Sequence, residues 1–78
     1  AGDELAIYRI RVGKDAPVSG KPLSELNLMP DCMVVVIEHD EHHGVVPDAH
    51  KVLAERDVVF VVVRKDFEKD LRKLFAVR

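Results

Sequence analysis

Tryptophan is absent, cysteine occurs once, and one tyrosine with three phenylalanines makes up the aromatic content of 78 residues. A single thiol, Cys32, cannot form an intrachain disulfide, which suits a reducing compartment and excludes a disulfide-stapled framework. A surplus of positive charge is also missing. The formal net charge is −2, so no nucleic-acid partner is expected, because phosphate binding needs a basic surface. No stretch approaches the roughly 18 consecutive apolar residues of a membrane span, so direct membrane insertion is not expected. GxGxxG and GxSxG are absent too. No NAD or ATP site is therefore expected in this chain, and catalysis is not expected either.

What remains is ordinary globular composition, 47% hydrophobic and 33% charged, in a length that allows one domain over residues 1–78. A core this thin is worth roughly 3–5 kcal/mol net. Self-association is the expected help. The opening "AGDEL" suggests a fragment of a longer protein.

The hydrophobic pattern divides the chain. In "LAIYRIRV", Ala6, Tyr8, Ile10 and Val12 share one face, while Leu5, Ile7, Arg9 and Arg11 share the other, which is a strand with one buried face. Gly13, Pro17 and Gly20 then punctuate a loop. Pro22 starts a predicted helix of one or two turns that turns Leu23 and Leu26 inward and ends before Pro30. "CMVVVIEH" and "DVVFVVVR" do not alternate and are rich in β-branched residues, which predicts strands buried on both faces. "HGVVP" between them reads as a short strand ended by Pro47. In the last segment Phe67, Leu71, Leu74 and Phe75 form one helical stripe. Asp66 is the predicted N-cap, and Arg72 and Lys73 suit the helix's C-terminal end. The expected fold is α+β: a sheet of about four strands with a short helix after the first strand and a C-terminal helix, in two layers.

"GKDAPVSGKPLSELNL" resembles the opening of the TrkA C-terminal (RCK C-terminal) domain of potassium transport and channel regulators. Pro17, Gly20, Lys21, Leu23, Glu25 and Leu26 match its spacing. Pro47, Val52, Leu53 and Asp57, followed by "VVFVVV", continue the match over nearly the whole chain. Two positions depart from it: Arg56 stands where the family usually has glycine, and "EHDEHH" where it often has arginine. The resemblance implies a cytoplasmic regulatory domain at the inner face of the membrane. It would pair as a homodimer and attach to a Rossmann nucleotide-binding domain of its parent chain or to a membrane cation channel or transporter. In family members that bind cyclic di-AMP, the ligand lies in a cleft between two subunits.

Residues 37–48, "IEHDEHHGVVPD", hold three of the four histidines and four of the fourteen carboxylates. The bland reading is a solvated connection between strands. The second is a ligand loop at the dimer cleft, formed by Ile37, Glu38, His39, His43, Val45, Val46 and Pro47. Its apolar members would pack on a ligand, while Glu38, Asp40 and Glu41 would repel a phosphate and select a cation or an amine. The third is a divalent-metal site drawing on His39, His42 and His43. A cyclic dinucleotide and a divalent cation are thus the two ligand classes in play, with no resident cofactor. A structural dimerisation module without a ligand is the rival function.

Overall fold

A computed structural model of the chain describes residues 2–40 and 43–77, with Asp40 described by its backbone alone. Four strands, β1 (Leu5–Arg11), β2 (Met33–Asp40), β3 (His43–Val45) and β4 (Val58–Arg64), form one antiparallel sheet in the order β1-β4-β2-β3. One helix, α1 (Glu68–Leu74), follows β4 through a 3₁₀ turn at Lys65–Phe67. The architecture is the expected α+β one.

The alternation in β1 survives intact. Ile10 and Val12 enter the core, while Leu5 and Ile7 stand exposed on the opposite face. Directly across, Val59, Val61 and Val63 of β4 are fully buried. They pack with Ile37, Leu71 and Phe75, so helix and sheet close on a single core.

The expectation that β2 and β4 are buried on both faces is corrected. Phe60 and Val62 are only half-buried, and Met33 is 64% exposed. Only one face of the sheet carries a packed layer among the described residues. The run "MVVVI" hides its alternation because a bulge shifts the register between Val34 and Val36. An extra residue in one strand reverses the inward and outward assignment of everything after it. Met33 and Val36 therefore share the open face with Val62 and Phe60, while Val34 and Ile37 pair with Val61 and Val59 on the core face.

The segment after Pro22 is also shorter than predicted, a single 3₁₀ turn at Leu23–Glu25. Nucleating a helix is costly, and Pro30 limits the space available. The loop docks instead: Gly20, Leu23 and Ser24 donate backbone N–H groups to Leu53, Lys51 and Ala49. That docking places Val18 and Leu53 in the core. Gly20 permits the turn with φ at +86°.

Asp66 is not the N-cap of α1, a second correction. It lies inside the 3₁₀ turn, where its carboxylate accepts two hydrogen bonds from Arg64, at 3.2 and 2.8 Å. The helix ends in a Schellman motif. Ala76 takes a left-handed φ of +53°, and Ala76 and Val77 donate to the carbonyls of Lys73 and Arg72. Arg72 and Lys73 lie in the last turn as expected. Gly13 seals this end of the molecule. Its N–H donates to Phe75 at 2.7 Å, and a β-carbon there would sit 2.3 Å from the Ala76 carbonyl oxygen.

Candidate functional site

The residues singled out from sequence lie at and near the β3 edge, but they do not form one cluster. β2 and β3 pair through Ile37↔Val45 and Glu38↔Gly44, then slip so that Asp40 faces His43. Ile37 points into the core and is 0% exposed, so it supports the hairpin from beneath and offers no surface in the single chain. Val45 and Val46 stand out at 44% and 80% exposure, with His43 exposed and Pro47 half-buried beside them. His42 and Glu41 lie outside the described residues.

Glu38 and His39 face elsewhere. Glu38 lies on the open face, where its carboxylate is 3.7 Å from the Arg9 guanidinium, and Arg9 also lies over the Phe60 ring at 6.0 Å. His39 is opposite Asp57, and its Nδ1 is 2.8 Å from Asp57 Oδ1. Asp57 is 5% exposed, the buried charged residue of the described chain. Its second oxygen accepts the Ala54 N–H at 2.9 Å, and its own N–H donates to the Ala54 carbonyl at 3.1 Å. Asp57 thus locks the turn before β4, and His39 covers it. Both carboxylate oxygens are engaged, as a buried carboxylate requires. Among the described residues no group of three or more His, Cys, Asp or Glu side chains is gathered to hold a metal.

A larger concavity runs from β1 across the end of β4 to Glu38 and His39 of β2, so these two candidate residues line it at its far end. A groove of about 930 Å³ runs beside β1 and wraps its later half, with apolar floor residues such as Val58, Leu71 and Val77. Five cations line it: Arg9, Arg11, Lys14, Arg56 and Arg72. Three carboxylates oppose them, Glu38, Glu55 and Glu68. Arg72 bonds Glu68 at 3.1 Å, and Tyr8 donates its hydroxyl to the other Glu68 oxygen at 3.2 Å. Desolvation, reinforced by the Glu68 charge, raises the Tyr8 pKa above its ordinary value. Tyr8 therefore stays a donor at neutral pH. Arg56 takes a left-handed φ of +78°, so arginine occupies a conformation that glycine enters more readily. The departure from the family's glycine leaves the turn in place and adds a cation to the groove.

Sequence reasoning missed this groove. Arg9 and Arg11 read as an outward strand face, which they are. The fold's contribution is to bring Lys14, Arg56 and Arg72 alongside them. The spacing of basic residues at 9, 11 and 14 was the available signal.

A small antiparallel sheet with one covering helix, a docked loop after β1 and a short edge strand before Pro47 defines a compact, non-Rossmann α+β module. The profile of the TrkA-C domain matches residues 7–76, and the chain belongs to that family. Among curated proteins it is similar to the Trk system potassium uptake protein TrkA homolog of Pyrococcus abyssi, 26% identical over 68 residues. The corresponding homolog of Pyrococcus horikoshii is 21% identical over 68 residues. In each case the match takes in 87% of this chain and 30% of the relative, so the chain spans under a third of these proteins. Among solved structures, the RCK_C domain dimer of S. agalactiae BusR in complex with c-di-AMP superposes with a TM-score of 0.77 at 32% identity. That match covers 95% of this chain and 94% of the other. S. agalactiae BusR in complex with its busA-promotor DNA superposes with a TM-score of 0.76, and there the match takes in only 38% of the longer chain.

Proposed function

We propose that this domain is a ligand-responsive dimerisation module of a potassium or other cation transport system. It works in the cytoplasm as part of a longer protein that carries a Rossmann domain or meets a membrane channel or transporter. The observation that carries this reading is the near-complete match to an RCK_C domain that forms a dimer with c-di-AMP. The exposed apolar edge of Val45 and Val46 beside Pro47 supplies a surface for a second copy and for the faces of purine bases. A ligand held between two copies favours one arrangement of the pair over another only through differential affinity, about 1.4 kcal/mol for each factor of 10. The DNA in the longer BusR complexes is read as belonging to the part of that chain without a counterpart here, in line with the net charge of −2.

A cyclic dinucleotide is the first ligand to test. Glu38 and the acidic run after it oppose phosphate, which makes a divalent cation at the histidine-rich turn the second, without His39, whose Nδ1 is taken by Asp57. Melting curves of the chain with c-di-AMP, adenine nucleotides and divalent cations, each with and without chelator, separate these readings. At 100 times its dissociation constant a ligand adds about 2.7 kcal/mol, a shift of roughly 10 °C or more in a domain of this size. A shift with c-di-AMP alone supports the dinucleotide, and a chelator-sensitive shift supports the metal. A flat panel with a persistent dimer leaves a purely structural module, and a monomer at every concentration removes the proposal.

A further inference from the structure

We propose that the groove beside β1 is a docking site for an extended acidic segment, which adds to the sheet as a fifth strand. Three independent features meet there. The first is a free edge. β1 is outermost in the sheet, and its even-numbered residues face β4: the Lys65 N–H donates to the Glu4 carbonyl and the Val12 N–H to the Asp57 carbonyl. The N–H and C=O groups of Leu5, Ile7, Arg9 and Arg11 therefore point away from the sheet, where β-strand addition takes place.

The second feature is shape. The groove flanks this edge on both faces, with Arg9 and Arg11 on the open face and Leu71 and Arg72 of α1 on the other. An added strand sends alternate side chains to opposite faces, so both sets find walls.

The third is charge. Five cations against three carboxylates leave the lining two charges positive, in a chain whose total is −2. Arg9 and Arg72 are engaged by Glu38 and Glu68. Arg11, Lys14 and Arg56 have no ion-pair partner among the described residues. Edge arginines also serve to prevent edge-to-edge aggregation, and that role explains Arg9 and Arg11 alone. It does not explain Arg56, which is not in the strand and keeps a left-handed backbone at the end of the groove. A second copy of β1 is a poor occupant, since its own Arg9 and Arg11 would enter a site already cationic. Acidic side chains at alternate positions, with apolar ones between them, complement both walls.

The test is fluorescence anisotropy with a labelled peptide containing Glu-Val-Glu-Val-Glu, against the Lys-Val-Lys-Val-Lys counterpart and against the acidic peptide N-methylated at alternate residues. The acidic peptide is expected to bind at least about 10-fold more tightly than either control, because charge and main-chain pairing both contribute. Arg11→Glu and Arg56→Glu are each expected to weaken it about 10-fold with melting temperature retained. Arg56→Gly, which suits the backbone, serves as the variant that folds whatever becomes of Arg56→Glu. Equal binding of the N-methylated peptide overturns strand addition. Equal binding of the lysine peptide overturns the charge assignment, and full displacement by pyrophosphate reassigns the groove to small anions. The outcome is separable from the cyclic-dinucleotide reading, because c-di-AMP binding is expected to be unchanged in Arg11→Glu.

Discussion

The two edges of this sheet were built from similar strand material and came out opposite in character. The β3 edge is apolar, with Val45 and Val46 exposed beside Pro47 and a sequence rich in histidines and carboxylates leading into it. The β1 edge is flanked by a basic groove with a helix for one wall. Position in the sheet order accounts for the difference. β3 has three residues and, among the described residues, no helix over its outer side, whereas β1 lies beside α1 and receives the turn that Asp57 locks. On the proposed reading, charge separation on so small a domain would sort ligands of different chemistry between the edges.

The comparison breaks most severely at Gly13, which closes the β1 side against the end of α1. Gly13→Ala must displace the Ala76 carbonyl from 2.3 Å, and the expected loss is about 3 kcal/mol, read as a fall in melting temperature of roughly 10 °C or more. Calorimetry of Asp57→Ala should show the next largest loss, about 2 kcal/mol. It strands the Ala54 N–H and the His39 ring and frees the turn that carries Arg56. The ligand response proposed for the β3 edge should persist in whatever fraction of that variant remains folded.

Arg56→Gly sharpens the contrast instead of breaking it. Relief of the left-handed strain should raise stability by about 0.5–1 kcal/mol in urea unfolding, while acidic-peptide affinity falls. A destabilised Arg56→Gly protein would mean that the turn is held by the arginine side chain.

The smallest effect concerns Cys32, whose thiol burial pushes above its ordinary pKa of 9.0. A group with a raised folded-state pKa contributes stability that is fully present below the unfolded value. That contribution is lost as pH rises through the folded value. Stability should therefore not depend on ionisation of the Cys32 thiol at neutral pH and should decline above about pH 9, a decline that Cys32→Ala reduces while the raised Tyr8 pKa leaves a remainder. Slow alkylation by iodoacetamide at pH 7 is the companion observation.

Much of the fold was legible because β1 and α1 each have a single dominant period. The alternation of Tyr8, Ile10 and Val12 gave the buried face of β1, and the spacing of Leu71 and Phe75 gave the core side of α1. The open face was not legible. A bulge at Val34–Val36 breaks the count that periodicity relies on, and a run of valines looks the same on either face. The candidate site was legible only as composition. Histidines at 39 and 43 look adjacent in sequence, yet the register sends His39 to Asp57 and His43 to the outer edge. The groove depends on strand order, which sets Arg9 and Arg11 beside Arg72 across sixty residues of chain. No local pattern encodes that.

The most direct test of a division of labour between the edges is to titrate the isotope-labelled chain separately with c-di-AMP and with the acidic peptide, following backbone amide shifts. The account predicts two separate sets: His43 to Val46 for the dinucleotide, and Arg9, Arg11, Lys14 and Arg56 for the peptide. A single shared set, or dinucleotide shifts confined to the β1 groove, would contradict it.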